Sequence, residues 1–163
     1  MKIPLIINTK AIFIDCTPDE LLVNVLRKQG FYSVKDTDST GLSGSSTILL
    51  DNKPVPSCLI PAAAARDSNI ITLEYFSTLP EYRYIQNEID KAEVKLCGLC
   101  NPGKIFTAFD IIMHNYHPSI QDVILRLKDF TCCCVDTADL ATVIVKAAYV
   151  YRDSIGKKDA KKL

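Results

Sequence analysis

Cys97-Gly98-Leu99-Cys100-Asn101-Pro102-Gly103, with Cys132-Cys133-Cys134 further along, is the stretch from which the rest of the chain is best read. Asn101-Pro102 has the form of a helix start, because a proline in the first turn lacks an N–H that would have no partner there anyway. Thr137 opens another helix shortly after the second cysteine group. Both groups therefore fall in turns that feed helix N-termini, where backbone N–H groups and the helix dipole favour anionic thiolates. Cys-x-x-Cys presents two thiolates from one turn, a geometry common to iron–sulfur and zinc sites. Cys-x-Cys is less usual for zinc, so spacing points to a metal site and leaves both metals open. The candidate ligands are Cys97, Cys100, Cys132 and Cys134. Buried cysteines acting as small hydrophobes are the bland alternative, but it fits poorly with cysteines concentrated at two helix entries.

The wider composition agrees with a globular protein in a reducing compartment. Of 163 residues, 48% are hydrophobic and 23% charged, and the net charge is zero. No overall field or basic stripe favours nucleic acid. The opening apolar stretch, Ile3–Ile7, is too short for a signal peptide, and no apolar run reaches the length of a membrane span. The expectation is a soluble, cytoplasmic chain with no nucleic-acid or membrane partner. Seven cysteines, an odd number with three in a row, argue against a disulfide framework. Clustered cysteines in such a compartment suggest metal binding instead. The charge run at Lys157–Lys162 reads as a solvated, frayed tail.

Two different patterns follow one another along the chain. Ile3–Ile7 and Ala11–Asp15 read as strands around a tight turn at Asn8-Thr9-Lys10. A helix is expected from Thr17 as N-cap, Pro18 at the first position and Glu20 completing a capping box, with Gly30 as its left-handed stop. Ser33–Ser46 is a long polar loop, and loops of that length usually have a function or had one. Thr47–Leu50 and Pro54–Pro56 form a second hairpin around Asp51-Asn52-Lys53, and Asn69–Tyr75 is the last strand. After Tyr75 only helical patterns occur: Leu79–Lys91, a helix from Asn101, one capped by Ser119 with Asp122, and one from Thr137. The fold class is α+β, divided near Phe76 into residues 1–76 with the strands and residues 77–163 with a four-helix bundle.

Cys97-Gly98-Leu99-Cys100-Asn101-Pro102-Gly103 resembles the Cys-Gly-Phe-Cys-Thr-Pro-Gly motif of the small iron–sulfur subunit of molybdenum hydroxylases, the xanthine dehydrogenase and aldehyde oxidoreductase family. Cys132-Cys133-Cys134 resembles that family's Cys-Arg-Cys, and His117-Pro118-Ser119-Ile120 its Asn-Pro-Thr-type helix start. In the front half, Asp51-Asn52-Lys53-Pro54-Val55 and Ser57-Cys58-Leu59 resemble Asp-Gly-Lys-Pro-Val and Ser-Cys-Leu. The resemblance spans roughly residues 3 to 150. It implies a ferredoxin-like β-grasp domain followed by a helical 2Fe–2S domain. It also implies an electron-transfer role beside a large molybdopterin-binding subunit, with a flavin subunit carrying FAD as a further partner. The last ligand, Cys134, would lie close to the pterin as the point of electron entry.

The chain departs from that family at one loop above all. The family holds a second, plant-type cluster with Cys-x4-Cys-x2-Cys and a later cysteine. Aligned without a gap, Asp38, Ser43 and Ser46 stand at the first three ligand positions, and only Cys58 remains. Serine is a poor iron ligand at neutral pH and a carboxylate does not replace sulfur donors, so one 2Fe–2S cluster is expected instead of two. Asp38 with Cys58 as a site for another metal is the competing reading. Leu96 replaces a glutamine that touches the pterin in the family, and Cys133 replaces arginine. Cys16 reads as a buried thiol, and His114 and His117 as a helix-terminal cation and a loop residue. The alternative function is a structural or zinc-binding docking subunit with no electron-transfer role.

Overall fold

A computed structural model describes residues 1–131 and 134–160, the last four as helical backbone. Strands β1 (Lys2–Ile7) and β2 (Lys10–Asp15) form a hairpin whose register pairs Ile7 with Lys10. Asn8 and Thr9 both have positive φ, the conformation that matches hairpin twist. Strands β3 (Thr47–Leu50) and β4 (Lys53–Pro56) repeat the device, with Asp51 and Asn52 at positive φ. Strand β5 (Asn69–Ile71) enters between the hairpins, parallel to β1 and antiparallel to β3. The five-stranded sheet runs β2-β1-β5-β3-β4.

Helix α1 spans Leu22–Lys28, later than its sequence signals suggest. The Glu20 carboxylate does accept the Thr17 N–H at 3.3 Å, but the chain does not turn helical there. Residues 20–22 are held extended against residues 60–62: Leu22 N–H bonds Ile60 O and Ala62 N–H bonds Glu20 O, at 2.8 and 2.7 Å. A tertiary pairing thus displaces the local cap. The far end matches expectation. Gly30 has φ +90°, its N–H bonds Arg27 O, and Phe31 N–H bonds Leu26 O, the paired bonds of a left-handed helix stop.

Side-chain alternation on the strands supplies two cores. On β1, Ile3, Leu5 and Ile7 point the same way and pack with Leu22, Val25 and Leu26 of α1. On β3, Ile48 joins that core, whereas its neighbour Leu49 faces a second one, as the two-residue period of a strand requires. The second core gathers α3 (Pro80–Lys91), α4 (Asn101–His114), α5 (Ile120–Leu127) and α6 (Thr137–Ala160). The expected final strand ends early. Leu73–Phe76 is a single helical turn, α2, that delivers Phe76 into the second core, 5.2 Å from the Phe106 ring and 5.0 Å from the Phe109 ring.

The helix signals of the second half hold closely. Ser119 and Asp122 form the full capping box on α5. On α6, Leu140, Val143, Ile144, Ala147 and Ala148 are all buried. Its first turn is capped by Asp136, whose Oδ1 accepts the N–H groups of Ala138 and Asp139 at 2.8 and 3.2 Å. Helix α6 continues to Ala160 where a frayed tail was expected, and 161–163 lie outside the described residues. Among the described residues no helix is long and apolar enough to cross a membrane.

Candidate metal centre

The turn at 97–100 is shaped by Gly98 and the start of α4. Gly98 has φ +79° with nothing near a would-be Cβ, so backbone conformation alone calls for glycine. Its N–H is caught by Asn101 Oδ1 at 3.1 Å, and its carbonyl accepts Lys35 Nζ at 2.9 Å. Cys100 is the residue preceding α4 and is fully buried; Cys97 is exposed. Cys134, half-buried, arrives from the turn before α6.

Three sulfurs meet there. Cys97 Sγ and Cys100 Sγ are 3.8 Å apart, Cys100 Sγ and Cys134 Sγ 3.5 Å, and all three lie within 4.8 Å of one another. A tetrahedral metal with metal–sulfur bonds of about 2.3 Å spaces its sulfurs about 3.8 Å apart, so the donors fit a sulfur-ligated metal group. Backbone N–H groups of Cys100 and Leu99 aimed at Cys97 lower its thiol pKa to about 6, which makes it a thiolate at neutral pH. Cys132, the fourth sequence-derived ligand, and Cys133 lie outside the described residues. Two basic residues went unnoticed in the sequence: Lys35, already placed on Gly98, and Lys104, whose Nζ lies 3.2 Å from Cys134 Sγ. A lysine in the first turn of a helix, where cations are disfavoured, is the signal that could have found the second.

The polar loop meets the centre at its edge. Gly103 N–H donates to Gly44 O at 2.9 Å, and Thr131 N–H to Leu42 O at 3.0 Å. A Cβ on Gly103 would approach Gly44 Cα to 2.6 Å, so both positions are restricted by close backbone contact. Inside the loop, polar groups bond one another. Asp38 accepts the Ser43 N–H at 2.7 Å and the Thr40 hydroxyl at 3.0 Å. Burial pushes the Asp38 pKa up, but these bonds from Ser43 and Thr40 outweigh it and hold the group below its ordinary value. Ser43 Oγ donates to Ser45 Oγ at 2.8 Å, and Ser45 Oγ to Lys35 O at 3.0 Å. Ser46 Oγ donates to Cys58 Sγ at 3.0 Å. This donor set has one sulfur and three oxygens already bonded within the fold, and it does not fit an iron–sulfur cluster.

The remaining candidates are structural in their contacts. Cys16 is buried in the first core. His114 Nδ1 lies 3.0 Å from Asp110 at the end of α4, and Leu96 packs against the helical core.

No protein-family model matches the chain. Among curated proteins, it is 32% identical over 135 residues to the nicotinate dehydrogenase small FeS subunit of Eubacterium barkeri, covering 82% of this chain and 86% of that one. It is 34% identical over 109 residues to the xanthine dehydrogenase iron-sulfur-binding subunit of Escherichia coli O157:H7, covering 60% and 69%. Among solved structures, a chain of quinoline 2-oxidoreductase from Pseudomonas putida 86 superposes with a TM-score of 0.83 at 29% identity, over 94% of this chain and 96% of that one. The aldehyde oxidoreductase of Desulfovibrio desulfuricans gives a TM-score of 0.81 at 29% identity, over 93% of this chain and 17% of its own. The relatives and the superposition place the chain among iron–sulfur proteins. The chain belongs to the family of small iron–sulfur subunits of the molybdenum hydroxylases.

Proposed function

We propose that this chain is the electron-transfer subunit of a multi-subunit molybdenum hydroxylase and carries one 2Fe–2S cluster on Cys97, Cys100, Cys132 and Cys134. The observation that carries this reading is the convergence of Cys97, Cys100 and Cys134 sulfurs within 4.8 Å. A 2Fe–2S group supplies one-electron chemistry, whose potential depends on sulfur hydrogen bonds and burial. The chain's residues provide the rest. Cys97 offers a ready thiolate, the 97–100 backbone donates toward it, and Cys100 is sealed from water. Relatives named for iron–sulfur binding leave the zinc-docking alternative without support.

The finer organisation follows the two cores. Residues 1–76 form a β-grasp ferredoxin-like domain that has lost its plant-type cluster, and residues 77–163 form the helical cluster-binding domain. The large molybdopterin-binding subunit docks on the side of Cys134, where electrons enter, and a flavin subunit lies downstream, all in the cytoplasm. The hydrogen-bonded state of Asp38, Ser43 and Ser46 supports the loss of the second cluster. Without it, electrons leave by another route or turnover with a flavin acceptor is slow. Iron analysis with EPR of the anaerobically purified complex tests the reading. One 2Fe–2S signal per chain is expected. Two distinct signals, or zinc at one equivalent without visible absorption, would overturn it.

A further inference from the structure

Lys104 occupies a position that its chemistry makes unusual. It sits between Gly103 and Ile105 in the first turn of α4 and is 4% exposed. A buried ammonium is strongly disfavoured unless an anion faces it. Among the described residues no carboxylate pairs with it. Its Nζ instead lies 3.2 Å from Cys134 Sγ. The helix dipole adds a second penalty, because the first turn of a helix repels a cation. Two unfavourable placements are tolerated together only if the sulfurs carry negative charge. The residue is thus matched to the metal–sulfur centre and not to the rest of the fold.

We propose that Lys104 sets the reduction potential of the centre: its ammonium donates to the Cys134 sulfur and stabilises the extra negative charge present after one-electron reduction. The proposal rests on the ligand assignment made above. The electron comes from the molybdopterin-bearing partner. One-electron reduction adds one negative charge and no atom, and the ammonium keeps its proton before and after. Cys134 is also the ligand on the side assigned to the partner, so Lys104 favours electron arrival at the point of entry. Its effect is electrostatic and does not require movement of the chain.

The test is a potentiometric titration followed by EPR on the anaerobically purified complex, with iron measured per chain. Lys104→Met removes the charge and the hydrogen bond while keeping an unbranched side chain. Its reduced-to-oxidised ratio at a fixed poise should fall about tenfold, which is a midpoint about 59 mV lower for a one-electron couple. Lys104→Arg, which keeps the charge, should restore most of that shift. Lys104→Gln keeps an N–H donor without charge and should stay low. A wild-type midpoint in an iron-loaded Met or Gln variant would overturn the proposal and leave Lys104 a packing residue. If neither neutral variant loads iron, the Arg variant decides. Loading by Arg with a near-wild-type midpoint supports the role of charge, and failure of Arg as well overturns it. Absence of iron from the wild-type complex would instead sink the ligand assignment, so the two failures are distinguishable.

Discussion

In the 33–46 loop, Asp38, Ser43 and Ser45 bond to backbone and hydroxyl groups of the same loop. In the cysteine turns, the sulfurs face one another and the ammonium of Lys104. The two regions touch through Gly44 and Gly103, so they share a seam and differ in chemistry. Neutral hydroxyls can donate and accept in a closed ring, and such a ring is complete without a further group. Thiolates only accept, so bringing them together needs positive charge nearby. A loop closed on its own hydroxyls does structural work with no metal in it. It holds α4 through Gly44 O and the 97–100 turn through Lys35.

The largest effect is expected at Cys100, which is fully buried among the sulfurs. Replacing this buried ligand by alanine should abolish the visible chromophore. The loss should exceed the roughly 10–100-fold affinity drop typical of altering an outer hydrogen-bond partner. Iron content and absorbance of the purified complex report it. The reverse change sharpens the contrast. Asp38→Cys, Ser43→Cys and Ser46→Cys together, with Cys58 present, should add about two irons per chain on anaerobic reconstitution and a second EPR signal. Unchanged iron would mean that the loop backbone, as well as its donors, has closed.

A smaller effect is expected at the seam. Gly103→Ala drives a Cβ to 2.6 Å from Gly44 Cα and 2.9 Å from its oxygen. Overpacking of that kind costs about 1–3 kcal/mol. At roughly 2–4 °C per kcal/mol, thermal unfolding should show a clear drop in Tm. The smallest effect is one of reactivity. In the metal-free chain at pH 7, exposed Cys97 should be alkylated while buried Cys58 is spared. Because its pKa is lowered to about 6, Cys97 stays a thiolate above that pH. Its alkylation rate should fall only below pH 6, by about tenfold per unit. Mass spectrometry of labelled peptides reads both sites. A midpoint near the ordinary thiol value would remove the turn's backbone N–H groups from the account.

Much of this protein was legible along the chain. The hairpins, the Ser119–Asp122 box and the apolar faces of α4 to α6 arise from spacings of a few residues, where local geometry decides. The same holds for Cys97 and Cys100, which share one turn. Other features depended on distant partners. Helix α1 begins at Leu22 because residues 60–62 pair with 20–22. Strand β5 stops at Ile71 because Phe76 is drawn into the helical core. The meeting of Cys134 with Cys100 and with Lys104 joins residues 34 and 30 positions apart. Which residues could bind metal is written in the chain, because donor type is a property of the side chain. Which sulfurs converge, and that a buried cation faces them, depends on how the elements pack, because packing sets distance and burial.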